Sequence, residues 1–373
     1  LTDNHAPSGL GTKVVYFTVP EEPLAALARE LTLTNHSKNP LEIEVLDGLP
    51  LVNPYGMNEF FTKQMSRTIE AWMTVENVVS RAPYFHLKVD ATDRPEVTII
   101  KEGNFYFSLL EEGQGGMELL PALVDTSRIF GTRLDFGSPE VFYTEDAYPF
   151  PKTQVTENKT PCAFTFARAT LAPGKSLRIL SFAGHARDIE FLNRYVKRAA
   201  KPGYFDQKRR ENKRLISAIQ TPLFTVSASP IYDLYCGQTF LDNVLRGGLP
   251  LPLTPSSEAV DSPVAYVYSR KHGDLERDYN RFVVEPDYFA QGNGNYRDIN
   301  QNRRNDVWFE PCLKDANIRT FLNLIQLDGF NPLVTMGTDY TFEKTPASRR
   351  VLEKFFSKKD LAAAEQVLIG PFR

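Results

Sequence analysis

Cysteine is scarce in this sequence, with Cys162, Cys236 and Cys312 the three thiols in 373 residues. Odd in number, scattered and without CxxC spacing, they support neither a disulfide framework nor a zinc site, so a reducing compartment is expected. Long apolar runs are missing as well. No segment approaches the roughly 18 to 20 consecutive apolar residues that span a bilayer, and Leu1 to Gly11 lacks the basic start and apolar centre of a signal peptide. The expectation is a soluble, cytoplasmic protein without a membrane partner. Charge of one sign is also lacking. The 43 basic and 46 acidic side chains leave a net charge of -3, which gives no field to gather nucleic acid. His36, His86, His185 and His272 form no i, i+4 pair, so no metal and no organic cofactor are expected. The absence of a GxSxG elbow and of a P-loop removes the commonest hydrolase and nucleotide signatures.

What is present suffices for more than one core, since 42% of the residues are hydrophobic and 12% aromatic, enough for two or three structural units. Apolar and polar residues alternate at Leu31 to Thr34, Leu41 to Val45 and Ser176 to Leu180, the period of a half-buried strand. Further strands are expected at Lys13 to Val19, Phe85 to Val89, Val97 to Ile100, Asn104 to Leu109 and Cys162 to Ala169. Turn-forming residues at Asn35 to Pro40 and Ala172 to Lys175 would let neighbouring strands return antiparallel. A β-sandwich over 1–186 is the simplest packing.

After Gly184 the period changes. Asp188 reads as an N-cap for a helix carrying Leu192, Tyr195, Val196 and Ala199, and Pro202-Gly203 ends it. The basic run Lys208 to Arg214 reads as a solvated helix face. Together these make a helical linker over 187–222. Three helical patterns then follow in 223–373. The first carries Ile231, Leu234, Tyr235, Leu241, Val244 and Leu245 and closes at Gly247-Gly248. The second carries Ile318, Phe321, Leu322 and Ile325. The third opens at Thr345-Pro346, an N-cap with proline at the first helical position. The fold class is therefore multidomain β plus α. The chain does not begin with Met and its last residues follow directly on a helical pattern, so truncation at both ends is expected.

The densest chemistry lies between Ser269 and Arg304. Gly292-Asn293-Gly294-Asn295 leads into Tyr296-Arg297-Asp298-Ile299-Asn300-Gln301, and Arg270 and Arg277-Asp278 lie upstream. A sugar presents hydroxyls that both donate and accept, so its site needs carboxylates, amides and guanidinium groups converging. This segment supplies all three. The competing reading is structural, with Arg297-Asp298 and Arg277-Asp278 as ion pairs and the Gly-Asn repeat as a loop tip. Gly292 and Gly294 do not follow a strand-to-helix turn inside a βαβ unit, which argues against a dinucleotide site. Glu21-Glu22 and Glu111-Glu112 read as exposed turn carboxylates.

At these residues the sequence resembles the cellobiose and chitobiose phosphorylases, once called glycosyltransferase family thirty-six. The family's hallmark is Arg-Asp-Ser-Asn-Gln-Asp after a glycine-rich loop, with a Ser-Arg pair upstream. Here it reads Arg297-Asp298-Ile299-Asn300-Gln301-Asn302, with Ser269-Arg270 upstream. Gly292 stands where the family often has arginine, and the Gly-Asn-Gly-Asn version is similar to the larger β-glucan phosphorylases, including those acting on β-1,3-linked chains.

The resemblance implies an N-terminal β-sandwich, a helical linker and the beginning of an (α/α)6 barrel. It implies a fragment of an inverting phosphorylase that cleaves β-glucosidic bonds of β-glucan or cello-oligosaccharide with inorganic phosphate, giving α-glucose 1-phosphate. Asp298 would bind the sugar beside the scissile bond, with Arg297, Asn300, Gln301 and Arg270 around it, in a homodimer. The family's general acid lies in an Asp-Trp-Asn-Asp-like motif well after the hallmark. Neither Trp72 nor Trp308 lies in such a motif, so the acid is expected beyond Arg373 and this piece alone is expected to be inactive. One acid suffices because phosphate arrives already nucleophilic, whereas an inverting hydrolase, the alternative on the same barrel, needs a second carboxylate to activate water. A non-catalytic glycan-binding module is the alternative from outside enzymes.

Overall fold

The computed structural model describes residues 1–58, 60–91, 95–111, 116–144, 147–252, 264–267, 294–335 and 343–369. They form two compact units, Leu1–Leu215 and Ile216–Arg373, and the fold is mixed β and α with antiparallel strand pairing.

The first unit holds eleven described strands: β1 (Thr2–His5), β2 (Leu10–Thr18), β3 (Ala25–Asn35), β4 (Leu41–Leu49), β5 (Met73–Glu76), β6 (Tyr84–Leu87), β7 (Gly103–Glu111), β8 (Met117–Leu119), β9 (Ala122–Leu123), β10 (Ala163–Leu171) and β11 (Ser176–Ala186). The larger sheet runs β1-β2-β3-β11-β7-β6-β5 with β8 on β7, and the smaller runs β4-β10-β9. The expected strand at Val97 to Ile100 is reduced to a bridge between Val89 and Ile99.

The two turn segments do not make hairpins. Each carries the chain from one sheet to the other, β3 to β4 and β10 to β11. Asn35 ties both corners together. Its wholly buried side chain donates to the carbonyls of Asn39 and Leu171, both at 2.8 Å, and accepts from the Ser37 N–H at 2.8 Å. Turn propensity marks where a chain bends, but the partner of the next strand is a tertiary matter.

Alternation along β3 and β11 gives each a face on either side. On one, Leu31, Leu33 and Ile179 pack with Val45, Ala167 and Leu171 of the smaller sheet. Within that apolar contact runs a buried polar chain in which Ser181 donates to Asp47 Oδ2 at 3.1 Å, Ser108 to Ser181 at 2.9 Å and Thr165 to Ser108 at 2.9 Å. Arg29 closes it by pairing with Asp47.

On the other face, Phe107 and Phe182 stack at 5.0 Å and meet Tyr195 and Phe205 edge-on. Those two residues come from α3 (Ile189–Ala199) and α4 (Tyr204–Gln220), which follow the short helices α1 (Ser127–Phe130) and α2 (Glu140–Thr144). Asp188 caps α3 as expected, accepting from the Phe191 N–H at 2.6 Å. The basic run of α4 is more than a solvated face, because Lys208 is buried against Glu22 and Glu211 at 3.3 and 2.9 Å. Glu22, expected in an exposed turn, has a side chain only 6% exposed.

The second unit contains α5 (Pro230–Gly247), β12 (Leu249–Pro252), β13 (Val264–Val267), β14 (Gly294–Asn295), α6 (Tyr296–Arg303), α7 (Asp306–Phe309), α8 (Ala316–Asn323), β15 (Val334–Thr335), α9 (Pro346–Leu352) and α10 (Leu361–Ile369). Helix α5 opens where Ser229 accepts from the Tyr232 N–H and closes at Gly248, with φ of 88°. The first half of its apolar stripe, Ile231, Leu234 and Tyr235, is exposed, whereas Phe240, Leu241 and Val244 are buried. Thr345 caps α9 by accepting from the Ser348 N–H. Among the described residues no helix is long and apolar enough to cross a membrane.

Candidate functional site

Helix α6 follows directly on β14, which pairs antiparallel with β15, so Gly294 is not in a βαβ crossover. Asn295 caps the helix by accepting from the Arg297 N–H at 2.9 Å. At roughly 100° per residue, Arg297, Asn300, Gln301 and Arg304 share one side, Ile299 and Arg303 the opposite one, and Asp298 and Asn302 lie between. Burial follows this wheel. Ile299 is buried, Asp298 and Asn302 are half-buried, and the first four are exposed. Arg297 Nε donates to Asp298 Oδ1 at 3.3 Å, the ion pair anticipated as a structural reading. Asp298 Oδ2 is buried and has no hydrogen-bond partner among the described residues. Arg270 and Arg277-Asp278 lie outside the described residues.

A cleft of about 460 Å³ lies in this unit, and every residue lining it is polar. One wall is α5, with Thr239, Asp242 and Asn243. The other is the end of α6 and the turn after it, with Gln301, Asn302, Arg304 and Asn305. Of the sequence-predicted site residues, the structure brings Gln301 into this cleft, while Arg297, Asp298 and Asn300 do not line it. The α5 wall was legible in principle. Thr239, Asp242 and Asn243 recur at i, i+3 and i+4 on the side of the helix away from Leu241 and Val244, a polar face three residues wide.

The walls are held together from below. An ideal Cβ on Gly247 would stand 2.9 Å from the Asn302 carbonyl oxygen, so the end of α5 and the end of α6 meet backbone to backbone. Arg303 Nε donates to the Gly247 carbonyl at 3.0 Å, and its guanidinium lies 3.6 Å over the Tyr266 ring. Beneath Tyr266 sits Asp306, 1% exposed, with Oδ2 at 3.0 Å from Tyr266 Oη and at 3.3 Å from Asn317 Nδ2. Burial pushes the Asp306 carboxyl up to about 6, against donors from Tyr266 and Asn317 and the charge of Arg303, which favour ionisation. The Tyr266 phenol is likewise raised, by burial first and then by the Asp306 charge. Sequence reading missed this cluster because its members lie 40 and 51 residues apart.

The first unit has a concavity of about 600 Å³, lined mainly by apolar groups such as Leu27, Leu49, Val52 and Ala183, with Asn104 and His185 at its edge. His185 Nε2 is 2.9 Å from Glu102, and its ring lies tilted against Tyr55 with centroids 4.7 Å apart. Few polar groups converge there, unlike in the cleft beside α6. Among the described residues no group of three or more His, Cys, Asp or Glu side chains is placed to hold a metal ion.

No protein-family model matches the sequence, and no curated protein matches it. A solved structure from the human microbiome, provisionally assigned as a kojibiose phosphorylase, is similar to it with 8% sequence identity and a TM-score of 0.19. The match covers 66% of this chain and 24% of that one, so the chain spans about a quarter of the length of that structure.

Proposed function

We propose that this chain is part of a carbohydrate-active enzyme, an inverting glycoside phosphorylase acting on β-glucosidic bonds of β-glucan or cello-oligosaccharide, with the cleft between α5 and α6 as part of its sugar site. The observation that carries this reading is the lining of the cleft. A carboxylate (Asp242), amides (Asn243, Gln301, Asn302, Asn305), a hydroxyl (Thr239) and a guanidinium (Arg304) converge with no apolar residue among them. Polyhydroxylated ligands need that mixture of donors and acceptors, whereas apolar ligands and planar cofactors need apolar walls.

In this reading 1–186 is a β-sandwich, 187–222 a helical linker and 223–373 the first part of an (α/α)6 barrel. Asp298 holds the sugar and does not transfer the proton. Its Oδ2, without a hydrogen-bond partner among the described residues, is the atom that would accept from a sugar hydroxyl. In this reading a single carboxylic acid donates the proton, a role given to none of the described residues, and inorganic phosphate is the nucleophile.

Titration of the chain with cellobiose and laminaribiose, followed by NMR, tests the site. Shifts should appear at Gln301 and Asn243 and vanish in Gln301→Ala and Asp242→Ala, and an absence of saccharide-dependent shifts would overturn it. The reaction is tested on the natural full-length protein. It should release sugar 1-phosphate only when phosphate is present. Hydrolysis without phosphate would replace the phosphorylase reading by the hydrolase, and binding without turnover would replace it by the glycan-binding module.

A further inference from the structure

The cluster beneath α6 sets two oxygen atoms at hydrogen-bond distance from one phenol. Asn317 Nδ2 donates to the Arg303 carbonyl at 3.2 Å, and that oxygen can only accept, so the amide orientation is fixed. Its other side, Oδ1, therefore faces Tyr266 Oη at 2.7 Å. Tyr266 Oη also faces Asp306 Oδ2 at 3.0 Å. A phenol has one proton. With Asp306 ionised, that proton serves one of the two oxygens and the other meets phenolic lone pairs at contact distance. With Asp306 protonated at Oδ2, the row completes itself: Asp306 donates to Tyr266 and Tyr266 donates to Asn317. Both short contacts are hydrogen bonds only in that state.

The row has a mechanical consequence. Tyr266 lies on β13, paired with the strand that follows α5, and its ring carries the Arg303 guanidinium. Arg303 in turn holds the Gly247 carbonyl at the end of α5. Gly247 and the Asn302 carbonyl are close enough that a Cβ would not fit between them. The pose of Tyr266 thereby fixes the separation of α5 from α6, and these are the two walls of the cleft.

We propose that Tyr266, Asp306 and Asn317 form a proton-held latch that positions the walls of the cleft, so that saccharide binds more tightly there when Asp306 carries its proton. They are positioning residues and do not line the cleft. Of the described groups that act on Asp306, Arg303 from α6 is charged and Tyr266 from β13 is titratable, while α8 presents the neutral Asn317. The upward push on the Asp306 carboxyl by burial places its proton loss within reach of mildly acidic conditions.

The inference rests on the cleft being a saccharide site, so the experiment has one arm with sugar and one without. In the first, cellobiose affinity of the full chain is measured between about pH 5 and about pH 7.5, spanning the loss of the Asp306 proton. The wild type should weaken about ten-fold across that range, the equivalent of one buried hydrogen bond. Asp306→Asn should show no such dependence, and Tyr266→Phe should bind weakly and without pH dependence. A wild-type affinity that is flat, or a slope that survives in Asp306→Asn, would overturn the latch.

In the second arm, amide exchange of 240–248 and 296–304 is measured without sugar and corrected for intrinsic rates. Protection should fall with pH in the wild type but not in Asp306→Asn, with β11 unchanged in both. Equal behaviour of the two proteins would overturn the latch. If no cellobiose binds at any pH while this arm holds, the cleft reading fails and the latch stands.

Discussion

Gly247 and Asn302 meet so closely that a side chain on the glycine would occupy the space of the Asn302 carbonyl, 2.9 Å from an ideal Cβ. The obstacle is backbone and cannot rotate away. Gly247→Ala should therefore push α5 from α6, costing the second unit about 1 to 3 kcal/mol in a urea titration, in the range of overpacked sites. Saccharide affinity should fall with it. A variant of unchanged stability and affinity would show that the two helices do not brace each other.

The two units should respond to pH in opposite senses. Asp306 has a folded value near 6, above its unfolded value near 3.8, so the folded state binds the proton more strongly between the two. Stability of the second unit should fall as pH rises through that interval and level off above it, by on the order of 2 to 3 kcal/mol. Asp125 in the first unit behaves conversely. Burial opposes its charge, but Lys159 at 2.7 Å, Ser127 and the Val155 N–H together hold its carboxyl below the usual range. Its contribution is present above the unfolded value near 3.8 and is lost as pH falls through the lower folded value. Unfolding followed by a probe in each unit, with Asp306→Asn and Asp125→Asn as controls, reads both slopes.

Asn35→Ala should destabilise the first unit by about 2 to 3 kcal/mol, because it strips partners from the Leu171 and Asn39 carbonyls and from the Ser37 N–H in a buried corner. Asn35→Asp should also destabilise, since a carboxylate cannot donate to either carbonyl. Thermal unfolding measures both. Equal melting temperatures would mean that water replaces the amide at no cost.

Cys162 and Cys312 should differ in reactivity. Cys162 is fully buried and its thiol is pushed well up, by burial first and then by the Asp125 charge. Cys312 is exposed. A thiol reagent at neutral pH should modify Cys312 promptly and Cys162 only after denaturation, because the thiolate is the reacting species. Mass mapping of the modified sites decides this.

Periods of two and of 3.6 are local properties of a chain, and they determined a good deal about this protein. They placed β3, β4, β7, β10 and β11, the cap at Asp188, the whole of α5 and the proline-led start of α9. Local chemistry also singled out Gln301, because a run of amides and charges beside glycines is visible without a fold. What remained was long-range. Whether Asn35 to Pro40 turns a hairpin or changes sheet depends on which strand the next one meets, and burial of the Asn35 side chain decides it. Lys208 and Glu22 look solvated in sequence and are joined only because α4 lies across the end of β2. The cleft needed Thr239, Asp242 and Asn243 from one helix facing Gln301 and Asn305 from the end of another. Asp306 reads as an ordinary surface aspartate until Tyr266 and Asn317 are folded around it. Its carboxyl is pushed up by desolvation, and desolvation exists only in the tertiary structure.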